Sequence, residues 1–136
     1  MNLTLHLTND IAEVPLLASW VDEIADACQL SPDKAFQLNL ALEEAVVNVM
    51  SYAYPGQQGR PITLTAEPLT DGIRFLLIDD GIPFDPTRQA THDPALMDSD
   101  DRPIGGLGIL LVREYMSDIT YKYDNGHNLL GMTLRK

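Results

Sequence analysis

The chain has 136 residues, enough for one domain with a single substantial core. Nine Lys and Arg against twenty Asp and Glu give a formal charge of −11, which argues against nonspecific nucleic-acid binding or an anionic membrane surface. Both of those need clustered bases. No apolar run approaches the ~18 residues that span a bilayer, no secretory leader is visible, and the one cysteine, Cys28, allows no internal disulfide, so a cytoplasmic setting is expected.

In chain order, residues 3–7 alternate apolar and polar, the period of a half-buried strand. Ile11, Val14, Leu17, Val21, Ile24 and Cys28 then step by threes and fours, which predicts an amphipathic helix over 11–29, although Pro15 belongs in a first turn. Trp20 is expected in or beside the core, and His6 on the polar face of its strand. Ser31-Pro32-Asp33 marks the start of a second helix, with a Ser cap, Pro at the first helical position and an acid in the first turn. That helix runs to about Tyr54, where Pro55-Gly56 stops it.

Residues 62–67 and 73–79 read as two strands joined by the turn Thr70-Asp71-Gly72, and hence as an antiparallel pair. Residues 82–102 are rich in Pro, Asp and Thr without a period, and a loop of that length in a compact domain is usually functional. Gly105-Gly106-Leu107-Gly108 closes it and opens a third helix over 109–116. Two strands, 119–123 and 128–134, follow around Asp124-Asn125-Gly126. The pattern predicts a two-layer α/β sandwich, with a mixed, mostly antiparallel sheet covered by helices on one face.

Three motifs carry chemistry. Glu44 and Asn48 sit four apart on an otherwise apolar helix and so share one face. An Asn oxygen suits a hard cation such as Mg²⁺ that also takes phosphate oxygens, and a carboxylate one turn away suits a general base. The same pair serves equally as a structural cap for a loop. Asp79-Asp80-Gly81 ends a buried strand, where a carboxylate can accept from an exocyclic amine such as that of adenine and Gly81 permits close approach; an Asp-capped turn is the alternative. Gly105, Gly106 and Gly108 at a helix start present amides to phosphate, or else form a hinge. Neither the dinucleotide fingerprint nor a Walker loop is present.

Together and in this order, the motifs resemble those of the GHKL ATPases, and among them the small bacterial anti-sigma-factor serine/threonine kinases. Ala41-Leu42-Glu43-Glu44-Ala45-Val46-Val47-Asn48, continuing through Tyr52-Ala53-Tyr54, looks like the N box of that family. Asp79, Gly81 and Phe84-Asp85-Pro86 resemble the first glycine box, and Gly105-Gly106-Leu107-Gly108-Ile109 through Met116 and Asp118 the second. Gly131-Met132-Thr133 is similar to the family's last strand. The resemblance covers essentially the whole chain and implies one histidine-kinase-like ATPase domain over 1–136, with a mobile ATP lid at 86–104.

By position, the resemblance implies Glu44 as catalytic base, Asn48 as Mg²⁺ ligand and Asp79 as adenine-binding acid. Gly81 would lie near the base, Gly105, Gly106, Leu107 and Gly108 at the phosphates, and Thr133 near the adenine pocket. It implies ATP and Mg²⁺ as cofactors and a STAS-domain antagonist as phosphoacceptor. A sigma factor is a further partner in many members, and homodimers are common; an exposed first strand or helix would supply such an interface. The competing reading is a nucleotide-gated regulatory binding module without phosphoryl transfer.

Overall fold

A computed structural model of the protein describes residues 2–89 and 109–136. Five strands form one sheet in the order β1-β2-β3-β5-β4, with β1 at Thr4–Thr8, β2 at Pro61–Leu69, β3 at Gly72–Asp79, β4 at Ser117–Asp124 and β5 at His127–Arg135. All four pairings are antiparallel, where a mixed, mostly antiparallel sheet was expected. The reason lies in the connections: β2–β3 and β4–β5 are tight hairpins, and β5 returns between β3 and β4 in the opposite sense to β3.

Register decides which side chains meet the helices. Leu7, Ile62, Leu64, Ala66, Ile73, Phe75, Leu77, Leu130, Met132 and Leu134 are all buried and occupy alternate positions along their strands. Against this face pack α1 (Val14–Ala27) and α2 (Pro32–Tyr52), with the short α4 (Leu110–Tyr115) beside α2. Helix α1 buries Leu17, Trp20, Val21, Ile24 and Ala25, the stripe its period predicts. Trp20 meets Phe75 edge-on at 6.1 Å and donates from Nε1 to the Asn2 carbonyl at 2.9 Å, so its apolar body is buried and its polar tip satisfied.

The helix starts follow their caps. Residues Ile11–Glu13 form a 3-10 turn capped by Asp10, whose Oδ1 accepts from the Ala12 amide at 2.9 Å, and α1 begins only at Val14. Pro15 therefore falls in the first turn, where its missing N–H costs nothing, and Ile11 leaves the predicted stripe for solvent. Ser31 caps α2 through the Lys34 amide at 3.2 Å. A four-residue helix α3, Pro86–Gln89, opens the stretch expected to be loop, and Asp85 caps it through the Thr87 amide at 2.9 Å. His6 is exposed and Cys28 is half-buried against the core, as expected. Residues 90–108, which contain Gly105, Gly106, Leu107 and Gly108 and most of the expected lid, lie outside the described residues.

Candidate functional site

The inward-facing positions of β3 and β5 are apolar until the end of their ladder, where Asp79 and Asn128 stand opposite each other. Both are 4% exposed. Buried groups of this kind need partners, and here they have them. Asn128 donates from Nδ2 to Asp79 Oδ1 and to the Ile82 carbonyl, both at 2.8 Å. Its Oδ1 accepts from the Phe84 amide at 3.0 Å and from the Tyr121 hydroxyl. The Gly81 amide adds a 2.9 Å bond to Asp79 Oδ1. Burial pushes the Asp79 carboxyl above its ordinary value. The Asn128 amide and the Gly81 N–H pull it back, Asp80 adds to the rise, and His127 opposes it.

Asp80, one residue on, projects away from this cluster. Its Oδ1 accepts from the Tyr54 hydroxyl at 2.9 Å and its Oδ2 pairs with Arg60 at 3.0 Å. The single Tyr54 proton is shared with the Pro61 carbonyl at 2.5 Å, while the Tyr54 oxygen accepts from the Asp80 amide at 2.9 Å. Burial works against the Asp80 charge, but Tyr54 and Arg60 outweigh it and hold the carboxyl below its ordinary value. Two adjacent acids thus have separate jobs: Asp80 ties β3 to the end of α2, and Asp79 faces the helix layer.

Asn48, 3% exposed, reaches the same space from α2. With Asp79, Asn128, Phe84, Pro86 and Tyr121 it lines a cleft of only about 10 Å³, room for about one water. The Phe84 ring stacks on Tyr52 at 5.6 Å and 18°, beside that cleft. A purine fits there only after Phe84 and its neighbours move. Among the described residues no group of three or more His, Cys, Asp or Glu gathers. Mg²⁺ ordinarily keeps several waters and takes phosphate oxygens, so a single amide oxygen such as that of Asn48 suits it without such a cluster.

Glu44 lies one turn before Asn48 and turns to α4. Its Oε1 accepts from the Leu111 and Val112 amides at 2.8 and 3.1 Å, in the first turn of that helix, where free N–H groups and the helix dipole favour an anion. Burial raises the Glu44 carboxyl above its ordinary value, against the lowering pull of the Val112, Leu111 and Leu110 amides.

Gly81 sits at the site, its amide bonded to Asp79, whereas Thr133 falls elsewhere. A Cβ on Gly81 would come within 2.3 Å of the Ala53 carbonyl, and the Ile82 amide bonds that carbonyl at 2.9 Å, so the close approach is to the end of α2. Thr133 pairs with Arg74 in register, on the face away from Asp79, and accepts from Arg74 Nη1 at 3.0 Å. The expectation that it neighbours the adenine pocket is corrected by strand parity, since inward positions on β5 are the even ones. Gly131 makes room for that arginine, because a Cβ there would meet Arg74 Nη2 at 2.4 Å. Asn128 and Tyr121 line the cleft without having been singled out, and Phe84 had been named only within its motif. Asn128 was visible in principle as the one polar residue on the inward phase of an apolar strand.

Residues 7–134 match the histidine kinase-like ATPase domain family. The serine/threonine-protein kinase BtrW of Bordetella bronchiseptica is 32% identical over 114 residues, 84% of this chain and 80% of that protein. The serine-protein kinase RsbW of Listeria innocua is 29% identical over 127 residues, 91% and 81% of the two chains. In structure, the histidine kinase AdeS of Acinetobacter baumannii superposes with a TM-score of 0.51 at 13% identity, over 99% of this chain and 68% of that one, which shows a shared fold. The chain therefore belongs to the histidine kinase-like ATPase domain family, on a branch whose named members include serine/threonine-protein kinases.

Proposed function

We propose that the protein is an ATP- and Mg²⁺-dependent serine/threonine kinase of the anti-sigma-factor type, acting on a STAS-domain antagonist and able to sequester a sigma factor. The observation that carries this is the convergence of buried Asp79 and buried Asn48 in one cleft, from two elements 31 residues apart, within a chain of this family. Asp79 accepts from the adenine amine, and Asn48 holds Mg²⁺, which when bound neutralises phosphate charge. Gly105, Gly106, Leu107 and Gly108 supply amides to the phosphates by their resemblance to the family motif.

Glu44 takes the proton of the acceptor hydroxyl as its oxygen bonds the γ-phosphorus in line and the β–γ bridging bond breaks, so that ADP leaves with the bond electrons. A carboxyl raised by burial is suited to that work. One observation favours the second reading, a nucleotide-gated binding module: Glu44 is already engaged as the cap of α4, a structural job.

Intact-mass analysis separates the two, after incubation of the chain with ATP, Mg²⁺ and the STAS-domain protein of the same genome. A gain of one phosphate on the partner, absent with Glu44→Gln, establishes transfer and the base. ATP binding without transfer leaves the gated module.

A further inference from the structure

The polar cluster at the end of β3 has a direction built into it. Asn128 meets two backbone groups of fixed character: the Ile82 carbonyl only accepts and the Phe84 N–H only donates. They force Nδ2 toward Ile82 and Oδ1 toward Phe84, so a donor must face Asp79. Tyr121 reinforces this, since its oxygen accepts from the Phe84 amide at 3.2 Å while its proton goes to Asn128 Oδ1. Every donor and acceptor of the Asn128 amide is engaged, and both bonds to Asp79 land on the same oxygen, Oδ1.

We propose that Asn128 is the positioning residue of base recognition: by fixing the Asp79 carboxylate it sets a preference for a 6-aminopurine over a 6-oxopurine nucleotide. The inference rests on the reading of Asp79 as the base-binding acid. An adenine offers a donor at N6. A hypoxanthine offers an acceptor there and carries its donor at N1. A carboxylate free to swing accepts from either, whereas one held by Asn128 accepts from one position and meets the 6-oxo group as a repulsion. Discrimination of this sort depends on a polar group that cannot re-aim.

The test is equilibrium binding of ATP and of ITP, each with Mg²⁺, to the full chain and to Asn128→Ala, Tyr121→Phe and Asp79→Asn, with thermal unfolding recorded for each. The wild type should prefer ATP, and Asn128→Ala should lower the ATP-to-ITP preference by ~10-fold while changing ITP binding little. Tyr121→Phe, which keeps the ring and loses only the hydroxyl, should lower it in the same direction by less. Equal weakening of both nucleotides in a folded Asn128→Ala means a merely structural side chain and overturns the proposal. Should that variant fail to fold, an unchanged preference in Tyr121→Phe overturns it instead. Loss of preference in Asp79→Asn alone rejects Asn128 and keeps the base-binding reading; a wild type that treats both nucleotides alike removes both.

Discussion

Glu44 on α2 and Val112 on α4 are joined by a 3.1 Å hydrogen bond across 68 residues of sequence, and the same carboxylate oxygen takes the Leu111 amide. One side chain therefore caps a helix and is, on the proposed function, also the proton acceptor. Substitution can part the two duties. Glu44→Gln keeps an oxygen for both amides and should leave stability within about 0.5 kcal/mol, while phosphoryl transfer is lost. Glu44→Ala removes the cap as well and should cost about 1 kcal/mol in urea unfolding.

Gly81 predicts a steric outcome. A methyl group there would stand 2.3 Å from the Ala53 carbonyl, which the neighbouring Ile82 amide already engages. Gly81→Ala should destabilise the chain by about 1–3 kcal/mol, as forced overpacking does. If the midpoint of chemical unfolding does not move, the tight junction between β3 and α2 is wrong.

Tyr54 is 4% exposed, and its hydroxyl serves three backbone and side-chain groups around Asp80 and Pro61. Tyr54→Phe keeps the ring under Arg60 but strands those groups, and should cost about 1–3 kcal/mol. Arg60→Ala should cost less than about 1 kcal/mol, because the Arg60–Asp80 pair is partly open to solvent and screened. Paired unfolding curves in low and high salt check both.

Asp79 and Glu44 also predict a pH dependence. Each is raised above its ordinary value, 3.8 and 4.5, chiefly by burial, so the folded chain binds these protons at higher pH than the unfolded chain does. Their contribution to stability falls as pH rises from the ordinary carboxylate range through the raised values, and is recovered on acidification. Asp80, held low, works in the opposite sense, its contribution being lost as pH falls through its lowered value. Asp79→Asn should therefore raise the melting temperature at neutral pH and flatten the dependence above the ordinary carboxylate range, at the expense of nucleotide preference. A melting temperature that drops at neutral pH would show that the buried charge is stabilising.

Local signals were enough for most of the architecture. The Ser31 cap, the alternation in β1 and the Asn125-Gly126 hairpin act over a few residues and read directly; both turn residues take positive φ, 53° and 79°. Asn48 and Asp79, each singled out by its motif, line one cleft. The polar residue on the inward phase of β5, Asn128, was readable from alternation, but its partner was not, because the pairing of β5 with β3 spans almost fifty residues and one step of register exchanges the two sides of a strand. For Gly81 the sequence shows that a close approach is needed but not that the Ala53 carbonyl is one of the groups that approach.

The Phe84–Tyr52 stack beside a cleft of about 10 Å³ has a kinetic consequence. On the proposed reading, a nucleotide enters only once the Phe84 side of this cleft has opened, and its measured affinity is then weakened by the fraction of chains in the open conformer. The observed association rate should then level off as nucleotide concentration rises, at the rate of opening. Substituting Phe84 with alanine should lift that plateau.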